Sequence, residues 1–78
     1  MLNEQESKEL RHRFYKLGKK RNTSILQDLG KLREGDEADH EDTKVLLTQL
    51  IDEGRAYDLI QAIKFYEDEI KKEKDAML

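Results

Sequence analysis

The sequence contains no cysteine, which excludes disulfides and thiolate metal sites and removes any reliance on an oxidising compartment. It contains no proline either, so no helix is stopped by a missing N–H or a fixed φ. No apolar run approaches the roughly 18 residues of a membrane span, and the N-terminal residues lack the apolar stretch of a signal peptide. A membrane partner is therefore not expected, and the cytoplasm is the expected location. Sustained alternation of β-branched and polar residues is missing too, so no strand is assigned. Histidine is confined to His12 and His40, and the carboxylates near them lie on polar faces or in an acidic loop. No apolar pocket is there to shift a catalytic pKa. Neither an enzyme nor a cofactor is expected.

What is present is charge: 42% of the residues are charged and 36% are hydrophobic. That balance lies close to the boundary between folded and disordered chains. The apolar residues are periodic rather than scattered, which favours order, and Ala, Leu, Glu, Lys, Gln and Arg all favour helix. Seventy-eight residues suffice for a single domain. The expected fold is all-α, a small bundle of three to four helices at about 3–19, 23–34, 40–53 and 55–74.

The first helix has Asn3 as its cap, Glu4 and Glu6 at its positive end, and Leu10, Phe14 and Leu17 as its apolar stripe. Extending that stripe would bring Arg21 inward, so a break is expected between Gly18 and Thr23; the alternative is one helix running to Arg33. Thr23 or Ser24 then caps a second helix with Ile25, Leu26, Leu29 and Leu32 inward, stopped by Gly35. The third begins near Asp39 or Asp42 and ends at Gly54. Its Leu46, Leu47, Leu50 and Ile51 span about 140° of arc, which predicts that it is the most buried helix and the centre of the bundle. The fourth carries Ala56, Leu59, Ile60, Ile63, Tyr66 and Ile70 on one face, and its charged last turns, Glu67 to Asp75, are expected to fray.

Two charged segments stand out. Residues Glu34 to Asp42 hold six carboxylates and no Lys or Arg. Their spacing lacks the pattern of a calcium loop, so no metal site is expected; they suit the capping of the third helix. Between Lys8 and Arg21 lie seven cations, Lys8, Arg11, Arg13, Lys16, Lys19, Lys20 and Arg21, against a single Glu9. On a helical wheel they cover the non-core surface of the first helix. Such a surface is either solvated, or meets an acidic protein, or follows phosphates with Tyr15 as a stacking ring. A net charge of −3 for the whole chain is unlike a nucleic-acid module. A helix-turn-helix built from the last two helices is rejected, because Asp58, Glu67, Asp68 and Glu69 would face phosphates. Tyr57 and Phe65 lie off the apolar stripe of the fourth helix and are candidate interface anchors. For Phe65 the alternative is packing under Met1 and Leu2 or against the first helix.

The run Leu46-Leu47-Thr48-Gln49-Leu50-Ile51-Asp52-Glu53-Gly54-Arg55-Ala56-Tyr57-Asp58-Leu59-Ile60-Gln61-Ala62-Ile63 resembles the closing helices of bacterial effector-associated, death-like domains. Those show an apolar helix, an acidic-Gly-Arg turn and a Leu-Ile-containing helix. Leu10 to Phe14 is similar to their opening helix, and Asp28-Leu29-Gly30 to their central motif, so the likeness spans about residues 10–64. The resemblance implies an adaptor that joins proteins by homotypic contacts between oppositely charged surfaces, often in bacterial or phage defence signalling.

The residues and the resemblance together point to a non-enzymatic protein–protein interaction module, an adaptor or small regulator. Its expected partner-binding residues are Arg11, Arg13, Lys16, Lys19, Lys20, Arg21, Tyr57 and Phe65. The partner is another protein, a second copy of the chain included. Two alternatives stay open: a nucleic-acid-associated regulator using the basic helix, and a structural subunit that forms a homodimer.

Overall fold

A computed structural model describes residues 2–77. Four helices follow one another: α1 (Glu4–Lys16), α2 (Lys19–Asp28), α3 (His40–Asp52) and α4 (Ala56–Ala76). The chain is all-α, with no strand among the described residues.

Local chemistry sets each boundary. Asn3 and Glu6 form a reciprocal capping box: Asn3 Oδ1 accepts the Glu6 N–H at 2.8 Å, and Glu6 Oε1 accepts the Asn3 N–H at 3.1 Å. α1 stops at Lys16, three residues before the expected end, and α2 begins at Lys19 rather than at Thr23. The whole break is therefore Leu17 and Gly18. Gly18 has φ +94°, a backbone only glycine adopts cheaply, and it turns the chain within one residue. Neither Thr23 nor Ser24 is the cap; both lie inside α2. The sharp turn keeps Arg21 off the apolar face, where its guanidinium donates back to the Leu17 carbonyl at 3.1 Å.

α2 also ends earlier than expected, at Asp28, and the residue that ends it is Gly30 rather than Gly35. With Gly30 at φ +78°, the N–H of Lys31 reaches the Leu26 carbonyl at 2.8 Å, the six-to-one bond of a Schellman turn. Leu29 and Leu32 pack on the core from this turn rather than from a helix. The loop that follows is tied down by Gln27, whose Nε2 donates to the Arg33 and Asp36 carbonyls at 3.3 and 3.2 Å. Asp39 caps α3, its Oδ1 accepting the Asp42 N–H at 2.8 Å, in agreement with one of the two expected caps.

The core consists of Leu10, Phe14, Leu17, Ile25, Leu26, Ala38, Leu47, Leu50, Leu59 and Ile63, drawn from all four helices and the acidic loop. α3 is not its sole centre, because α1 and α4 each pack against the other three helices. α3 buries Thr43, Leu47 and Leu50, as many residues as any other helix, while Leu46 and Ile51 are half-buried and Val45 is exposed. A wide apolar arc guarantees contact with neighbours, but only the middle of this one turns fully inward. α4 does not fray at the expected place. It stays helical to Ala76, with Ile70 packed on the core and Glu67 and Glu73 paired to α1 and α2.

Candidate protein-interaction surface

The break at Gly18 divides the basic segment between two helices: Lys8, Arg11, Arg13 and Lys16 lie on α1, while Lys19, Lys20 and Arg21 open α2. The seven cations therefore do not clothe a single helix, and Lys16 and Lys20 are not helical neighbours. Three of them are taken up inside the chain. Arg13 forms a two-pronged pair with Glu67, Nε to Oε2 at 3.1 Å and one terminal nitrogen to Oε1 at 2.7 Å. Lys19 lies 3.1 Å from Glu37, and Arg21 lies 3.7 Å from Glu73. The hydrogen bond from Arg13 holds the Glu67 carboxyl below its usual range, against the opposing effect of burial. The same bond pushes the Arg13 guanidinium pKa up. Lys8, Arg11, Lys16 and Lys20 form no ion pair among the described residues.

Tyr15 sits where the basic helix meets the acidic loop. Its ring is 5.1 Å from His40 at a tilt of 36°, and 6.2 Å from Phe14 in an edge-on contact. Burial raises the phenol pKa; Arg11 opposes that and Glu41 adds to it, so opposite charges flank one ring. Tyr15 is thus a packed, half-buried residue rather than a ring free to stack on a base.

Tyr57 and Phe65 are exposed, 71% and 59% respectively. Phe65 makes an edge-on contact with Tyr66 at 5.2 Å and does not pack under Leu2; Met1 lies outside the described residues. Leu2 instead lines a shallow groove with Ile51, Tyr57 and Ile60. Two residues apart on a helix is a rotation of about 200°, so with Glu67 facing α1, Phe65 faces away from it. The basic surface and the Phe65 ring therefore lie on different sides of the molecule.

A third feature escaped sequence reasoning. Where α1, α2 and α3 converge, Tyr15, Asn22, Ala38, His40 and Thr43 line a pocket, and Asn22 is only 7% exposed. Asn22 precedes Ile25 and Leu26 in the inward register of α2, a signal visible only once the helix is known to start at Lys19. Two turns are also stitched together outside any expected site: Lys31 pairs with Glu53 at 2.6 Å, and Arg55 donates to the Leu29 carbonyl at 3.0 Å. Among the described residues no three metal-ligating side chains converge, and no helix is long and apolar enough to cross a membrane.

The four helices around one core make a small helical bundle, and the match to a family of known description gives its class as an adaptor-type helical domain. The family described as GTPase-associated adaptor domain matches residues 6–64, and the chain belongs to that family. The match runs from the first turn of α1 through the first half of α4, so Phe65, Glu67 and Glu73 lie beyond it. No curated protein and no solved structure matches the chain.

Proposed function

We propose that this chain is a non-enzymatic, cytoplasmic adaptor, a single domain that joins one protein to another through the basic surface of α1 and the start of α2. The observation that carries the reading is the division of the seven cations. Arg13, Lys19 and Arg21 face acids of the same chain, the last two in solvent-exposed pairs, whereas Lys8, Arg11, Lys16 and Lys20 form no ion pair among the described residues, although the Lys16 charge helps lower the Glu67 pKa. Like charges three apart on a helix, such as Lys8 and Arg11, cost a few tenths of a kcal/mol per pair, on the order of 0.2–0.5. Folding gains nothing from their uniform sign; a complementary acidic surface does.

The partner is a protein of a GTPase-containing assembly, as the family description suggests. A second copy of the chain fits the same chemistry, because the acidic Glu34–Asp42 loop adjoins the basic surface at Tyr15. Two copies in opposite orientation would bring unlike charges together in both halves of one contact. Homotypic pairing of this kind is what the death-like resemblance implies, and it accords with a place in bacterial or phage defence signalling. Arg11, Lys16 and Lys20 lead the binding set, with Arg13, Lys19 and Arg21 held in reserve by their internal partners. Tyr57 and Phe65 form a separate contact.

The test is capture of the partner from the protein's own cell lysate, with and without nuclease, by the parent and by a variant with Arg11→Glu, Lys16→Glu and Lys20→Glu. Arg13 is left out, since a Glu there would face Glu67 and confound folding with binding. The expected result is nuclease-resistant capture, lost in the variant while its helical circular dichroism is retained. Capture that vanishes with nuclease, or an affinity falling by about 0.7–0.9 log unit per log unit of salt for each phosphate contacted, would establish a nucleic-acid partner instead. Undiminished capture by the variant at low salt would reduce the basic surface to a solvated face.

A further inference from the structure

α4 is the longest helix, and it continues past the family match from Phe65 to Ala76. Its inward side is accounted for: Leu59 and Ile63 are buried, and Tyr66 and Ile70 pack on the core. On the opposite side Tyr57, Gln61, Lys64, Asp68, Lys71 and Asp75 follow one another at alternating spacings of four and three, and all are exposed. At 100° per residue they stay within about 80° of arc, a straight seam along the whole helix. Tyr57 opens the seam and Phe65 stands at its edge, 71% and 59% exposed. The charges of the seam are unspent. Lys64, Asp68, Lys71 and Asp75 form no ion pair among the described residues. Within the helix, Lys64–Asp68 and Lys71–Asp75 have the lysine ahead of the acid, the less favourable order for a pair four apart. Asp68 and Lys72 have the better order, but Lys72 lies 4.0 Å from Glu69 instead.

We propose that this seam is a self-pairing surface, on which α4 of a second copy lies antiparallel, with the two-fold axis beside residue 66. Each seam residue then faces a different one: Lys64 meets Asp68 of the other copy, Gln61 meets Lys71, and the Tyr57 hydroxyl donates to Asp75. The symmetry makes each contact twice, and no like charges meet. The two Phe65 rings come to the same side of the pair, about 3 Å apart along the axis, where each covers the other. A parallel pair sets every residue against its own copy, Lys on Lys and Asp on Asp. Sliding the antiparallel pair by seven residues sets Lys64 against Asp75 and Asp68 against Lys71, but it leaves Tyr57 uncovered and draws the Phe65 rings apart. One helix face is a small contact, below about 1,200 Å², so the dimer is reversible and depends on concentration.

Sedimentation velocity of the full chain tests the pairing, with Lys64→Glu, Asp68→Lys and an equal mixture of the two variants beside the parent. Lys64→Glu sets an acid against Asp68 in both halves of the contact, and Asp68→Lys sets a lysine against Lys64. Each should weaken self-association at least about tenfold. In the mixture, a chain with acids at both positions meets a chain with lysines at both, so a heterodimer should form with an affinity near the parent's. Circular dichroism of each variant checks that the helix is kept, and recovery in the mixture itself requires folded chains. The shifted register gives no such recovery, because Lys64→Glu would there oppose Asp75. A parent that stays monomeric up to about 500 µM, a dimer untouched by either single substitution, or losses without recovery in the mixture would overturn the α4 pairing. Lys64 and Asp68 lie outside the basic surface, so the capture experiment on α1 is decided independently.

Discussion

Arg13 and Glu67 meet in a two-pronged pair across 54 residues of sequence, joining the last turn of α1 to the second half of α4. Their side chains remain 41% and 37% exposed, so solvent screens most of the attraction, and Glu67→Gln should cost no more than about 1 kcal/mol. The pH dependence has a fixed sign. Pairing lowers the folded-state pKa of Glu67, so its contribution is full above the unfolded value of about 4.3 and is lost as pH falls through the folded value. Thermal melts at neutral pH and at about pH 3 should show the parent–variant difference shrinking in acid. A difference that grows in acid would contradict this assignment.

Leu50 is fully buried on α3 and lies in the core cluster. Leu50→Ala should destabilise by roughly 2–5 kcal/mol, which approaches the entire stability of a chain this small. Chemical denaturation followed by circular dichroism measures it, and an unchanged midpoint would show that the site is not core. Val45→Ala on the same helix should cost far less, since Val45 is 55% exposed.

Gly18 supplies the turn between α1 and α2 at φ +94°, and a Cβ added there would meet nothing within 4 Å. The cost of Gly18→Ala is therefore one of backbone conformation alone, about 1–3 kcal/mol, because φ +94° with ψ 160° lies in a region that only glycine enters readily. Gly18→Asn should lose about as much, because Asn is tolerated only in the left-handed helical region, where ψ is about +47°. A much smaller loss in Gly18→Asn would show that the turn has relaxed to another geometry.

Phe65 offers a ring that is 59% exposed on the side of α4 away from α1. Phe65→Ser should leave the melting temperature nearly unchanged and accelerate dissociation of the partner, because desolvated anchors act on the off-rate. Reversal of Arg11, Lys16 and Lys20 should act chiefly on the on-rate. Surface-binding kinetics of the two variants side by side would separate these effects, and a pure on-rate effect of Phe65→Ser would remove it from the interface.

The ten buried apolar residues among those described make a small core, and self-association is an ordinary remedy for a chain of this length. Sedimentation velocity across the micromolar range should show a dimer or larger assembly at tens of micromolar, weakening with salt if unlike charges hold it. A monomer at every concentration would leave only the heterologous adaptor role.

The sequence by itself determined the helical class, the inward stripes Leu10–Phe14–Leu17, Ile25–Leu26 and Leu59–Ile63, and the cap at Asn3, and it narrowed the cap of α3 to Asp39 or Asp42. These follow from the 3.6-residue period and from local hydrogen bonds, which depend on near neighbours only. The tertiary structure alone decided where α2 begins and ends, because Gly18, Gly30 and Gly35 are equally able to turn and only packing selects among them. It also decided that α1 and α4 share the centre with α3, since an apolar arc records how much a helix buries but not how many neighbours surround it. The same holds for the charges. A run of cations is legible in sequence, yet which of them are free depended on Glu37, Glu67 and Glu73 arriving from elsewhere in the chain. The pocket beside Tyr15 likewise exists only in the folded chain, because its walls are brought together from three helices.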